Sequence, residues 1–178
     1  MRMNAKPVTI VGIIAATWGI SGLMLLLGFA VWRLTPYAID SLQMSLNWKH
    51  WLLLIANVLF MAYSEGYKGF QKSFSPRFAA RAKYLLRNTT PIRTIFSPLF
   101  CMSYFDAPKR RIIATCVLTA AIILLILSFR FIPQPWKGLL DSGVVIGLIW
   151  GMISTAFICI KAFTDVQFIW DAEVIETA

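Results

Sequence analysis

The 178-residue chain is 58% hydrophobic and only 14% charged, with a mean hydropathy of +0.70. A soluble domain carries about 25% charged residues, so this composition excludes an ordinary soluble enzyme, a disordered chain and a disulfide-stapled secreted domain. Seventeen basic residues against eight acidic ones leave a formal charge of +9, so the few charges present lean to one sign.

A helix needs about 20 apolar residues to cross roughly 30 Å of hydrocarbon. In chain order, the charge-free runs are 7–32 (26 residues), 51–64 (14 residues), 112–129 (18 residues) and 142–160 (19 residues). The second is short for a crossing. Trp48, Trp51, Tyr63 and Tyr67 at its ends are interfacial residue types, and Lys49 and Lys68 can snorkel, which extends it to 48–67. Charge asymmetry supports that crossing. The stretch 65–111 holds ten basic residues, and basic loops stay on the cytoplasmic side. If the second segment crosses, only Arg33, Lys49, Arg130 and Lys137 lie outside, and Arg2, Lys6 and Lys161 join the loop inside.

The expected fold class is therefore an all-α integral membrane protein with four transmembrane helices and a basic amphipathic interfacial helix in the inner loop. One membrane domain, 1–178, has spans near 8–33, 48–67, 112–132 and 142–161 and a basic cytoplasmic loop at 66–111. Both termini are expected in the cytoplasm, with the bacterial plasma membrane as the location. The outer connections, 34–47 and 131–141, contain Pro36, Pro133, Pro135 and Gly138 and read as turns.

Helix association in lipid relies on small residues and interhelical polar contacts. Gly143, Gly147 and Gly151 recur every four residues along the fourth span, continued by Thr155. Gly12, Gly19 and Gly22 make a looser version in the first. Such a stripe packs against a span of the same chain, such as the first, or against another membrane subunit. In the second span Asn57, Ser64 and Glu65 share one face at α-helical spacing. That polar face belongs toward the bundle or a partner, because lipid would leave Asn57 without hydrogen bonds. Glu65, near the inner headgroups, is expected to pair with Lys68 or a loop arginine.

In the inner loop, Ser75-Pro76 reads as an N-cap followed by proline at the first helical position. Phe78, Ala79, Ala82, Leu85 and Leu86 cluster on one side, and Arg77, Arg81, Lys83 and Arg87 on the other. This is the pattern of a helix lying in the headgroup plane, its cations contacting anionic lipid or a partner. An apolar stretch, 91–106, is broken by Pro98 and reads as re-entrant or interfacial. The tail holds Asp165, Asp171, Glu173 and Glu176 and either folds back on the basic loop or serves as a recognition segment.

Chemistry is sparse. His50 is the one histidine, and Cys101, Cys116 and Cys159 are widely separated, without a CxxC, so the pattern implies no haem, metal site or redox pair. No nucleophile, phosphate-loop or dinucleotide motif is present, and no cofactor is expected. The segment 62–71 (Ala-Tyr-Ser-Glu-Gly-Tyr-Lys-Gly-Phe-Gln) has the look of a motif with no assigned activity. The reading is a non-catalytic membrane subunit or assembly factor. It packs through the glycine stripe and engages anionic lipid, another membrane protein or a second copy through the basic loop; nucleic acid is not a partner. The alternative is a small oligomeric transporter or channel with a polar path near Asn57 and Glu65.

Overall fold

The computed structural model describes residues 7–165, 168 and 170–175; Arg2, Lys6, Ile169 and Glu176 lie outside the described residues. The described chain is helical, without strands. In order it forms α1 (Ile10–Leu42), α2 (Trp48–Met61), a π-helix (Ala62–Phe74), α3 (Ser75–Leu85), α4 (Pro91–Ile95), α5 (Ser97–Cys101), α6 (Lys109–Phe129) and α7 (Trp136–Thr164). Three of these, α1, α6 and α7, are long and apolar enough to cross a membrane, as expected of a membrane protein. The 14-residue α2 is not of that length.

Two helices overrun the expected turns. α1 continues through Pro36 to Leu42, and α7 begins at Trp136, so Gly138 and Asp141 are helical. Proline inside a helix removes one backbone donor. At the residue just before it, the Thr35 hydroxyl donates to the Val31 carbonyl at 2.7 Å. At the start of α2, the Asn47 N–H donates to Nδ1 of His50 at 3.1 Å, and the imidazole meets the Trp136 ring edge-on at 4.5 Å between centroids. The single histidine thus closes a helix N-terminus.

By its contacts the chain divides into two compact units, one of 1–24, 75–117 and 155–178, the other of 25–74 and 118–154. In the second unit α7 runs along α2 and the π-helix. A Cβ on Gly143 would meet the side chain and carbonyl of Asn57. One on Gly147 would meet Met61 and Glu65, and one on Gly151 the Phe70 ring. From the other side Gly66 receives Trp150, whose Nε1 donates to the Gln71 side chain at 3.0 Å. The glycine stripe is therefore occupied within the chain, and its partner is the 57–71 segment rather than the first span.

The contact positions along that partner explain the π-helix. They fall at 57, 61, 65/66 and 70/71, a spacing of four residues that lengthens to five. An i→i+5 repeat is the π period. Within it, Lys68 sits over the Tyr63 ring and Lys72 over the Tyr67 ring, each five residues on, at 5.7 and 4.7 Å. Tyr63–Tyr67 and Phe70–Phe74 form aromatic pairs. The unassigned 62–71 motif is thus the sequence of a widened helix that seats Trp150 and α7.

In the first unit, α1 presents its small face to residues 85–101. Gly12 abuts the carbonyls of Leu85 and Leu86, Gly19 meets Ser97 and Cys101, and Gly22 meets the Pro98 ring. The Ser97 hydroxyl donates to the Ala15 carbonyl at 2.5 Å, and Trp18 Nε1 donates to the Ile95 carbonyl at 3.2 Å. Residues 91–101 are thus two short helices docked on α1, burying Ser97, Phe100 and Cys101 and exposing Ile92, Ile95 and Phe96.

The stripe is not uniform, and this gives a graded test. A Cβ at Gly147 finds ordinary contact at 3.4 Å, whereas at Gly151 it comes within 2.6 Å of the Phe70 ring and at Gly143 it collides with the Asn57 amide. We expect Gly147→Ala to leave the detergent melting temperature nearly unchanged. Gly143→Ala should lower it, at a stability cost of about 1–3 kcal/mol, the usual range for overpacking, with Gly151→Ala between the two.

Candidate functional site

The expected interfacial helix forms at the expected start but in a different environment. α3 begins at Ser75-Pro76 and buries Ser75, Pro76, Phe78, Ala79, Ala80, Arg81, Ala82 and Leu85, which is most of its circumference. The Ser75 and Thr155 hydroxyls share a buried hydrogen bond of 2.8 Å. A helix so enclosed does not lie in a headgroup plane by one apolar face. This corrects the reading of Arg81 as a lipid-facing cation, since Arg81 is only 1% exposed.

Its guanidinium is the centre of the first unit. Nε donates to the Phe100 carbonyl at 2.7 Å, and Nη2 to the carbonyls of Phe105 at 2.8 Å and Asp106 at 3.3 Å. Nη1 donates to Ala172 at 3.0 Å, and at 3.4 Å to Asp106 and Glu173. The planar group also lies over the Phe100 ring, 4.2 Å from its centroid. Guanidinium carries five N–H donors in a fixed fork, and here they converge on five backbone carbonyls. Two of these belong to residues in the left-handed region, Asp106 at φ 52° and Glu173 at φ 46°, where non-glycine residues are uncommon. Burial pulls the Arg81 pKa down to about 10, so the group stays charged at neutral pH.

Two ion pairs flank this centre. Arg93 Nε donates to the Asp106 carboxylate at 2.7 Å, while its guanidinium lies 5.5 Å from the Phe100 centroid. Arg111 grips Glu173 with both prongs, Nε to Oε2 at 2.9 Å and Nη2 to Oε1 at 3.2 Å. Lys83 Nζ donates to the Asp165 carbonyl at 2.8 Å. The acidic tail therefore folds back on the basic loop, one of the two arrangements the sequence left open. Of the four cations expected to face lipid, Arg81 is buried, Arg77 and Lys83 are half-buried, and Arg87 is exposed. Lys68, Lys72, Lys109 and Arg110 are exposed as well.

The polar residues expected to share a face of the second span part company. Asn57 faces α7, and its amide donates to the carbonyls of Leu139 and Leu140 at 3.0 Å each. Glu65 sits half-buried beside Gly147 and belongs to neither described ion pair, contrary to the pairing expected for it. Ser64 turns its hydroxyl to its own helix, donating to the Phe60 carbonyl at 2.7 Å. The change to π geometry at Ala62 is why a face drawn at α-helical spacing does not carry through to Ser64.

Sequence reasoning missed Asp141, 3% exposed in α7, whose Oδ2 has no hydrogen-bond partner among the described residues. From the sequence Asp141 offers itself only as a partner for Arg130 near the outer end of the third span, which concealed it; Lys137 Nζ lies 3.6 Å from the Tyr37 ring centroid. Cys101 is buried, and desolvation pushes its thiol up to about 12, so it lacks the thiolate a reactive cysteine needs. Among the described residues, no three histidine, cysteine or carboxylate side chains stand close enough to hold a metal ion.

No protein-family model matches the chain, and no curated protein or solved structure matches it either.

Arg81→Met should cost about 3–5 kcal/mol, as for an uncompensated break in a buried charged network, and should expose the tail to protease. Arg81→Lys should fall between, because an ammonium has three donors in place of a planar five. The tail also responds to acid. Hydrogen bonds from Arg111, and behind them the charges of Arg111, Arg77 and Arg81, hold the Glu173 carboxyl below its ordinary 4.5. Its anchoring is complete above that value and is lost as pH falls through the lowered one. Protease sensitivity of residues 170–175 should therefore appear only in acid, and Glu173→Gln should abolish the acid step.

Proposed function

We propose that the protein is a non-catalytic integral-membrane subunit or assembly factor. It crosses the bilayer four times with both termini in the cytoplasm, and bacterial plasma membrane is the setting. The observation that carries this reading is α6: 21 residues, apolar throughout its core, with none buried. Ile113, Val117, Leu118, Ile122 and Leu124 are exposed around its circumference. The intramolecular seat of the glycine stripe leaves α6, rather than α7, as the surface for another membrane helix. The fourth crossing is α2 continued by the π-helix, 27 helical residues from Trp48 to Phe74, with the Tyr63–Lys68 and Tyr67–Lys72 pairs at its inner end. Contact with anionic lipid then falls to the exposed Lys68, Lys72, Arg87, Lys109 and Arg110.

A transporter is the second reading, and the buried, unpartnered oxygen of Asp141 is the observation that favours it. Reconstituted vesicles separate the two. The subunit reading expects background ion and proton flux that neither Asp141→Asn nor Glu65→Gln alters; flux lost in either variant favours transport.

Purification of the intact chain in mild detergent should retain a second membrane protein in fixed stoichiometry, read by mass analysis. Recovery of this chain alone, in any copy number, overturns the subunit reading. For the topology, a cysteine placed at the exposed Arg87 in a background lacking the three native cysteines should react with an impermeant maleimide only after permeabilisation. Labelling of intact cells would invert the orientation.

A further inference from the structure

Lys137 and Asp141 stand four residues apart near the start of α7, the spacing at which a lysine and a carboxylate on one helix reach each other. They belong to neither described ion pair. Asp141 is 3% exposed and its Oδ2 receives no hydrogen bond among the described residues. The Lys137 ammonium is drawn across to α1 instead, where it lies 3.6 Å from the centroid of the Tyr37 ring. Each group thus lacks the partner that its own helix offers it.

All three residues lie within the second unit, where α1 and α7 cross closely: a Cβ on Gly138 would collide with the Tyr37 carbonyl and the Ser41 side chain. The uncharged donors at this end are engaged elsewhere. Ser41 donates to the Ala38 carbonyl at 2.7 Å, Ser142 to the Gly138 carbonyl at 2.8 Å, and the Asn57 amide to Leu139 and Leu140. Among the titratable groups, His50 on α2 accepts from the Asn47 N–H and packs on Trp136, while Arg33, Asp40, Lys49 and Arg130 are exposed. Lys137 is the cation that acts on Asp141. An enclosed carboxyl with an unanswered oxygen costs far more when charged than when it carries a proton. Two arrangements remove that cost. A proton on Asp141 cancels the charge and leaves Lys137 to the Tyr37 ring. An ionised Asp141 calls the ammonium back along its own helix, and Tyr37 then loses its cation. The contacts seen match the first arrangement.

We propose that Asp141 is a proton-binding residue that governs a latch between α1 and α7: protonated, it leaves Lys137 on Tyr37, and ionised, it draws Lys137 away. The proton is exchanged with water, and the moving part is one lysine side chain. The Gly138 crossing stays closed in both states, so the proton sets the tie beside the crossing and not the crossing itself. The latch belongs to the packing of this unit and rests on neither functional reading above.

The test uses the full chain in nanodiscs, with isotope-labelled aspartate. Infrared spectra across pH give the protonated carboxyl band of Asp141, identified by its absence from Asp141→Asn. A double-mutant cycle on melting temperature, built from Tyr37→Leu, Lys137→Met and the pair, gives the coupling of ring and ammonium at each pH. Where the band is present, the two substitutions should be non-additive. As pH rises and the band is lost, additivity should return over the same range, below that in which lysine itself gives up its proton. In the Asp141→Asn background the coupling should persist throughout. Tyr37→Phe, which keeps the aromatic face, should behave as the native chain does, and Lys137→Gln replaces Lys137→Met should the latter fold poorly. Asp40→Asn and His50→Gln should leave the pH response in place. The proposal is overturned by the absence of an Asp141 carboxyl band at every pH, by additivity at every pH, or by coupling that ignores the loss of the band. It is equally overturned by a pH response that survives Asp141→Asn or disappears in Asp40→Asn or His50→Gln.

Discussion

A charged guanidinium sealed inside the first unit is the constraint around which that unit is arranged. Removing a cation from water costs several kcal/mol unless hydrogen bonds replace its hydration, and Arg81 finds its replacements only in backbone carbonyls from two separate stretches. The loop at 100–106 and the strap at 172–173 must therefore bend to present oxygen atoms. The left-handed residues Asp106 and Glu173 lie at those bends. Phe100, fully buried, supplies an aromatic face to Arg81 and to Arg93 together. Cation, ring and carbonyls form one polar core in an otherwise apolar protein.

The second unit solves a related problem with different means. Two helices approach closely where one offers glycines, and the other must then bring side chains to fill the gap. Asn57 fills it with an amide that also satisfies two carbonyls near the start of α7, and Phe70 fills it with a ring. Holding that match over four turns requires the partner's repeat to lengthen, and the π-helix supplies the change of period. The stripe is therefore a device of folding in this chain.

The long apolar helices were legible because hydrophobic length is a local property. Runs 112–129 and 142–160 lie within long apolar helices, run 7–32 does so from Ile10 onward, and Ser75-Pro76 marks the start of α3. The inward aim of Asn57 was equally legible, since an amide has no partner in lipid. Helix ends were read less well. Pro36 and Gly138 argue for turns on local grounds, yet both are helical, because neighbouring contacts outweigh a single weak helix former.

What composition and order determined by themselves was the membrane character, the three long helices and the presence of a glycine face, each a matter of residues near one another in the chain. Which surface that face meets, and where each arginine goes, depended on residues far apart. Arg81 and Arg87 read alike on a helical wheel, but one is enclosed by Phe100, Phe105 and the strap while the other is exposed. A wheel records direction about one axis; whether water, lipid or another part of the chain lies in that direction is decided only when the distant segments pack.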